Sequence, residues 1–357
     1  MEYITGWLCN YFCLILHLSK VSVRRLYSFT AMSYFLILIT LRDSGTDTQG
    51  IYEAMASAIL SNQFSVWISG SELAFRQLLS MFLTVTGSPV WAVRLIGMVF
   101  ILLLMFFIAK SDKREFFWFI TYFVPVFIYQ YGMNAIRAGI AMAVFLVAFQ
   151  YLRRSKRRSF FLISLTTFFF HYSFIFVFIV LSLFEFAKVR LKHVLYFMVA
   201  GLSIFSIAYF RWEYFIAKLN LYINYNSPAI YSGLSRIIIS AFLLLGVWAG
   251  RLPHREKLKL LAFSVVMMIS LQALTFFSYA GLRLLDLWIF VLSLVILRTY
   301  DRTNTGLDKW MQIGYLLAGF LGASFVYRNM LTDWAGQMTG TTTPFLPYQT
   351  ILETGKW

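Results

Sequence analysis

The chain has 357 residues, of which 60% are hydrophobic and only 13% are charged, and its mean hydropathy is +0.72. No soluble globular domain of this length has such a composition. The formal net charge of +16 does not indicate a nucleic-acid partner, because most Lys and Arg residues fall in short loops between apolar runs, where positive-inside membrane topology accounts for them.

Apolar runs recur along the whole chain, and a run of about 20 residues is long enough to cross a hydrocarbon core of roughly 30 Å as a helix. The runs lack the alternating polarity of barrel strands. The pattern predicts an all-α polytopic membrane protein of about 10–12 transmembrane helices, folded as one domain over residues 1–357 and embedded in the lipid bilayer. The predicted spans lie near residues 3–19, 26–41, 90–109, 116–131, 134–152, 193–210, 234–250, 260–277, 282–297 and 310–327.

Clusters of Lys and Arg punctuate alternate connections between these spans and are expected on the cytoplasmic side. They occur at Lys20/Arg24/Arg25, 110–115, 153–158, 188–192, 251–259 and Arg298/Arg302/Lys309. This topology places the N-terminus outside and makes residues 42–89 and 211–233 periplasmic loops.

The apolar stretch 159–186 has a basic cluster on each side, yet it is too short for two full crossings. We therefore predict a re-entrant or broken helix that returns to the same face, with its break at His171. Broken helices are tolerated where they are buried in protein or line a cavity. His171 has two interpretations at this point, a core histidine or a site residue.

The basic residues outside these clusters are nearly all arginines near the outer ends of spans, where the positive-inside rule disfavours them. Taken singly, Arg137 and Arg236 also fit snorkelling side chains, and Arg283 fits an internal ion pair with Asp286 three residues later. Taken together, they suit an anionic amphiphile, because guanidinium groups bind phosphate in a bidentate manner and keep their charge. A polyprenyl pyrophosphate fits both the cations and the apolar walls.

Four sequence elements resemble the EpsG-like branch of the Wzy polysaccharide polymerases. They are "LRDSGTDTQGIY" at 41–52, "NAIRAGIAMAVFLVAFQYL" from Asn134, "FFFHYSFIF" around His171, and Arg283. The resemblance implies a multi-pass glycosyltransferase of the GT-C type in the bacterial inner membrane. Such enzymes join oligosaccharide repeat units carried on undecaprenyl pyrophosphate at the periplasmic face, and the expected partners are a chain-length regulator (a polysaccharide co-polymerase) and a flippase.

Within this interpretation, arginines stabilise the pyrophosphate leaving group and the polar loop at 42–52 meets the glycan. The predicted pyrophosphate ligands are Arg137, Arg283, Arg236 and Arg42, and the predicted sugar ligands are Asp43, Tyr52, Glu72 and Asn134. Gly45 permits a tight turn that brings Asp43 and Asp47 towards one site. An ordinary turn at the end of a helix has the same composition, so both interpretations stand.

Asp47 and His171 are the two candidates for the base that takes the proton of the acceptor hydroxyl. We expect Asp47, because it closely follows the second span and reaches the outer interface, whereas His171 is expected near the middle of its segment. No cluster of side chains has the spacing of metal ligands. The sequence therefore predicts neither a metal nor another cofactor.

Three other functions share part of this pattern. An O-antigen ligase uses the same chemistry. A lipid-linked oligosaccharide flippase also needs central cations in an apolar cavity, but it should show two related halves, and no internal repeat is visible. A membrane acyltransferase is expected to place a histidine centrally, which His171 alone would fit.

Overall fold

The computed structural model describes residues 1–18, 26–27, 30–63, 71–185, 201–202, 209–210, 212–214, 216–217, 220, 231–332 and 342–355. These residues form helices and connections, with one isolated bridge between Arg42 and Thr350. The predicted all-α class is therefore confirmed. The helices are α1 (Glu2–Leu18), α2 (Ala31–Leu41), α3 (Ala54–Leu60), α4 (Leu73–Thr86), α5 (Pro89–Lys110), α6 (Lys113–Asn134), α7 (Ile136–Arg153), α8 (Arg157–Phe170), α9 (Phe174–Glu185), α10 (Leu234–Ala249), α11 (His254–Thr275), α12 (Tyr279–Arg302), α13 (Lys309–Met330) and α14 (Ile351–Thr354).

Six of the described helices, α5, α6, α7, α11, α12 and α13, are long and apolar enough to cross a membrane. They coincide with predicted spans, so the polytopic membrane architecture is confirmed. The predicted span at 193–210 lies largely outside the described residues. Two helices, α3 and α4, lie within the stretch 42–89 that the sequence suggested as a loop. In α4 the buried Phe75, Leu79 and Leu83 recur every four residues on one helical face.

The basic clusters that the structure describes meet at one end of the bundle, here called the basic end. Arg153 at the end of α7 contacts Asp112 at 2.9 Å, Glu115 at 2.8 Å and also Asp301. Arg302 pairs with Glu256 at 2.6 Å. These contacts join the clusters at 110–115, 153–158, 251–259 and 298–309, as a shared side requires; those at 20–25 and 188–192 lie outside the described residues.

The predicted broken helix is present as α8 and α9, separated by residues 171–173. With 14 and 12 residues, they extend roughly 21 and 18 Å at about 1.5 Å per residue, less than a bilayer core. Glu185 at the end of α9 pairs with Arg157 at the start of α8 at 3.2 Å. The pair therefore begins and ends at the basic end and turns at His171.

Helix α6 reaches the opposite end of the bundle, here called the site end, through two π-helical turns. The first, Phe119–Phe123, lies just before Pro125, where the missing N–H weakens the regular ladder. The second, Gln130–Asn134, ends the helix. Helix α7 begins two residues later, and Gly139 packs so closely against the carbonyl of Tyr131 that a side chain has no room there. This close turn carries Asn134 and Arg137 to the site end together.

Candidate active site

The polar loop at 42–48 is fastened to the end of α6 by three hydrogen bonds. Thr46 Oγ1 and the backbone N–H of Asp47 both donate to Asn134 Oδ1, at 2.7 and 2.8 Å, and Thr48 Oγ1 donates to the carbonyl of Met133 at 2.7 Å. Asn134, predicted as a sugar ligand, is buried and uses its side-chain oxygen to position this loop.

Gly45 gives the loop its turn, with a φ of +115° that L side chains rarely adopt. Its backbone N–H donates to the carbonyl of Pro344 at 2.8 Å, and the N–H of Asp43 donates to the carbonyl of Gln349 at 2.7 Å. The segment 342–355 therefore covers the loop from one side, so the loop is held between the end of α6 and the end of the chain.

Arg94 on α5 ties the two ends of the loop together, and sequence analysis gave it no role. Its side chain is fully buried; Nε donates to the carbonyl of Arg42 at 2.6 Å, and Nη2 lies 3.3 Å from Asp43 Oδ1 and 2.8 Å from Glu53 Oε1. The sequence could have indicated this role, because Arg94 lies inside an apolar span next to a loop with several carboxylates, and an arginine in a membrane helix needs a partner.

Arg42 and Asp43, the first two residues of the loop, have buried side chains. Arg42 is fully buried and donates to the carbonyl of Ile39 and, at 3.3 Å, to Thr48 Oγ1. The side chain of Asp43 is 1% exposed against Arg94. The structure does not bring these two predicted ligands to the surface with the other site residues, and their contacts are those of residues that stabilise the loop.

Glu72 joins two predicted site residues through one carboxylate. Its Oε2 lies 2.7 Å from Arg137 Nη1, and its Oε1 lies 3.1 Å from His171 Nδ1. The side chain of Glu72 is 0% exposed, whereas those of Arg137 and His171 are each 19% exposed. Glu72 was predicted as a sugar ligand, but the structure places it beneath the two residues that face outward.

The guanidinium of Arg137 also lies near two aromatic rings, 5.7 Å from the centroid of Tyr52 and 5.9 Å from that of Phe75. Cation–π attraction at these distances helps to hold the guanidinium in place. Tyr52, another predicted sugar ligand, is 2% exposed, so in this structure its ring supports Arg137 from below.

His171 lies at the site end, at the level of Arg137, because α8 runs beside α7 and breaks only after its fourteenth residue. His171 is in the middle of the segment 159–186, as expected, and the turn between the two half-helices brings it to Glu72 and Arg137.

Asp47 lies in the electrostatic field of two arginines from different helices. Burial raises the pKa of the Asp47 carboxyl, while Arg283 on α12 and Arg137 on α7 oppose that rise. The structure therefore brings Arg137, Arg283, Asp47 and His171 to the same end of the bundle, as their predicted roles require.

Arg236 lies beside this cluster and pairs with Asp286 on α12. Nε is 2.7 Å and Nη2 is 3.5 Å from the two carboxylate oxygens of Asp286. The sequence suggested that Asp286 pairs with Arg283 on its own helix. The observed partner lies on α10, which packs against α12, and its planar fork engages both carboxylate oxygens, a geometry typical of arginine–carboxylate pairs.

A groove opens below the Arg236–Asp286 pair between α6, α10, α12 and α13. Its cavity volume is about 40 Å³, and it is partly open to the surroundings. Its walls are mainly aromatic and aliphatic, including Val126, Phe127, Tyr131, Ile239, Ile289 and Phe325. Among the described residues, no group of three or more His, Cys, Asp or Glu side chains is arranged to hold a metal ion.

Comparison with known proteins matches the chain to one family model. No curated protein and no solved structure matches the chain significantly. The model of the EpsG family matches residues 11–350, a range that includes every residue of the cluster. The chain thus belongs to the EpsG family and is a multi-pass membrane protein of polysaccharide biosynthesis.

Proposed function

We propose that this protein is a polysaccharide polymerase of the bacterial inner membrane. It transfers a growing glycan from undecaprenyl pyrophosphate to the terminal sugar hydroxyl of an incoming lipid-linked repeat unit. The observation that carries the proposal is the convergence of Arg137 and Arg283, from two separate helices, on Asp47 at the site end of the bundle, with His171 joined to Arg137 through Glu72.

The arginines serve the leaving group. As the bond between the anomeric carbon and the pyrophosphate oxygen breaks, its electron pair passes to the pyrophosphate, and negative charge grows there. Arg137 and Arg283 are fixed cations whose forks match phosphate oxygens. A preorganised donor of this kind typically contributes about 3–4 kcal/mol to transition-state stabilisation.

The acceptor hydroxyl supplies the other half of the reaction. Its oxygen forms the new bond to the anomeric carbon, and its proton passes to a base, a transfer that contributes roughly 10²–10⁴-fold to the rate. Both candidate bases, Asp47 and His171, belong to the cluster that contains Arg137. The cluster thus contains a group for each charge that the reaction creates.

The groove below Arg236 suits the prenyl chain of the lipid. Its aromatic and aliphatic walls suit an apolar chain. Arg236 also lines the groove and pairs with Asp286, which lies three residues after Arg283 on α12. Burial of apolar surface contributes about 25 cal/mol per Å², so even a short length of chain in the groove adds to affinity. An amphiphile with an anionic head fits this arrangement of charges and walls.

The orientation in the membrane follows from the basic end. Because Lys and Arg are retained on the cytoplasmic side, the basic end faces the cytoplasm and the site end faces the periplasm. Repeat units must be delivered to that side by a flippase, and we expect a polysaccharide co-polymerase to set chain length.

Deletion of the gene, followed by gel analysis of the surface glycan, tests the function. A lost polymerase leaves single repeat units attached to the lipid core, and the ladder returns when the wild-type gene is supplied in trans. Complete loss of repeat units at the outer face indicates a flippase instead. Polymer that accumulates on its lipid carrier without reaching the core indicates a ligase, and an unchanged ladder with altered acylation indicates an acyltransferase.

A further inference from the structure

We propose that Glu72 is the positioning residue of the catalytic base: its buried carboxylate orients His171 so that Nε2 takes the proton of the acceptor hydroxyl. The inference rests on the proposed polymerase function and adds to it, because it decides between the two candidate bases. It also gives a role to a carboxylate that sequence analysis had assigned to sugar binding.

The geometry fixes which nitrogen of His171 carries hydrogen. An ionised carboxylate only accepts hydrogen bonds, so the 3.1 Å contact between Glu72 Oε1 and His171 Nδ1 requires Nδ1 to donate. In the neutral imidazole the lone pair then resides on Nε2. A histidine oriented in this way by a buried carboxylate is a suitable proton acceptor, because the carboxylate stabilises the imidazolium that forms.

Glu72 is held rigidly enough to act as such a support. Its carbonyl accepts the N–H of Arg76 at 3.0 Å in the first turn of α4, and α4 packs against α5 and α8. The second carboxylate oxygen is engaged by Arg137 at 2.7 Å. A fully buried carboxylate is stable only when it is paired and hydrogen-bonded, and here both of its oxygens have partners.

Arg137 and His171 therefore share one support. The arginine serves the leaving group and the histidine serves the attacking hydroxyl, so Glu72 fixes the distance between the two halves of the reaction. Asp47, in contrast, lies in the electrostatic field of Arg137 and Arg283. We assign to Asp47 the role of holding those guanidinium groups in place.

A double-mutant cycle tests this assignment, with purified protein and synthetic lipid-linked repeat units. In the otherwise wild-type protein, Glu72→Gln should lower kcat by about 10²-fold or more, while KM for the donor lipid changes less than about threefold. In a His171→Ala background, the loss of kcat caused by Glu72→Gln should be at least about tenfold smaller, because only the contact of Glu72 with Arg137 then remains to be lost. Glu72→Asp, which keeps the charge, should recover part of the activity that Glu72→Gln loses.

Glu53→Gln is the matched control. Glu53 is also a carboxylate paired with a buried arginine, Arg94, whereas the carboxylate that pairs with His171 is that of Glu72. Its loss of activity should be the same fraction in both backgrounds. Size-exclusion profiles and thermal unfolding in detergent establish that each variant is folded.

Equal losses from Glu72→Gln in the two backgrounds would overturn the inference, as would a rise in donor KM with kcat unchanged, since Glu72 would then act through Arg137 or through folding alone. The failure of the proposed function is a separate result. In that case the wild-type protein itself does not lengthen lipid-linked repeat units.

Discussion

The backbone N–H of Asp47 donates to the side-chain oxygen of Asn134 at 2.8 Å, across 87 residues of sequence. The contact couples the polar loop to the end of α6, and α7 with Arg137 begins two residues later. The relative position of Asp47 and Arg137 therefore depends in large part on one buried amide side chain, that of Asn134, which accepts two of the three hydrogen bonds that fasten the loop.

Asn134→Ala should reduce chain extension strongly while the protein still inserts into the membrane. The substitution leaves the Thr46 hydroxyl and the Asp47 N–H, both part-buried, without this acceptor, and the cost for a fully buried group is about 1–3 kcal/mol. Thr46→Val removes only one of the two hydrogen bonds and should have a smaller effect. The measurement is extension of lipid-linked repeat units at matched protein concentration. Equal activity of Asn134→Ala and the wild type would show that the loop is positioned without this contact.

Arg94→Met should destabilise the protein rather than alter its chemistry. It leaves the carboxylates of Asp43 and Glu53 buried without their cation, and breaking a buried pair in this way costs roughly 3–5 kcal/mol. The thermal unfolding midpoint in detergent should fall markedly. Adding Asp43→Asn and Glu53→Gln to Arg94→Met should restore part of the midpoint, because the uncompensated charges are then gone. Arg255→Met, at an exposed position of the basic end, is the control and should leave the midpoint unchanged.

The features that could be predicted from the sequence are those with a strong local signal. Long apolar runs gave the spans, and the basic flanks of 159–186 gave the broken helix, because its length excluded two crossings. Arg137, Arg283 and His171 were selected because ionisable residues in membrane helices are costly and are retained for a reason. Asp47 was selected because its loop resembles that of the EpsG-like polymerases.

The features that could not be predicted depend on which helices are neighbours. The pairing of Asp286 with Arg236 instead of Arg283, and the burial of Glu72 between Arg137 and His171, are contacts between distant parts of the chain. Helix α4 was missed because its 14 residues are too few to cross a membrane, although they are largely apolar. Its consequence is large, since α4 places Glu72.

Arg137→Lys should lose most of the polymerase activity, although the positive charge is kept. Lysine replaces a planar fork by a point charge, so it cannot contact pyrophosphate oxygens in a bidentate manner while it also faces Glu72. We expect a decrease in kcat of about 10-fold or more, since a fully lost donor costs roughly 10²–10³-fold. Arg255→Lys is the matched control. Wild-type glycan length from Arg137→Lys, at a normal protein level, would mean that Arg137 merely snorkels to the interface.

Ile239→Trp should weaken the binding of lipid carriers with long prenyl chains. Ile239 lines the groove below Arg236, and the larger indole fills space that the chain would occupy. KM should rise for a donor with a full-length prenyl chain and remain near the wild-type value for a donor with a chain too short to reach Ile239. Leu245→Trp, at an exposed position on the same helix, controls for the bulk of tryptophan. An equal rise in KM for both donors would place the prenyl chain elsewhere.

The broken helix α8–α9 requires that its two flanks lie on one side of the membrane. In the structure Glu185 contacts both Arg157 and Arg298, the latter at 2.8 Å, so the end of α9 belongs to the basic end. Single cysteines introduced into 153–158 and 188–192, in a background with Cys9 and Cys13 replaced by serine, should both react with an impermeant thiol reagent only after the inner membrane is opened.

A cysteine at Asn62, an exposed position after α3 in the predicted periplasmic stretch, is the control for the opposite side and should react in intact spheroplasts. The expected pattern follows from the retention of Lys and Arg in the cytoplasm and from the contact of Glu185 with Arg157, which keeps both ends of the pair together. Labelling of either basic flank in intact spheroplasts would contradict the same-side arrangement. It would also place His171 at the cytoplasmic side or mid-membrane, and His171 could then not receive a proton from a sugar hydroxyl at the periplasmic surface.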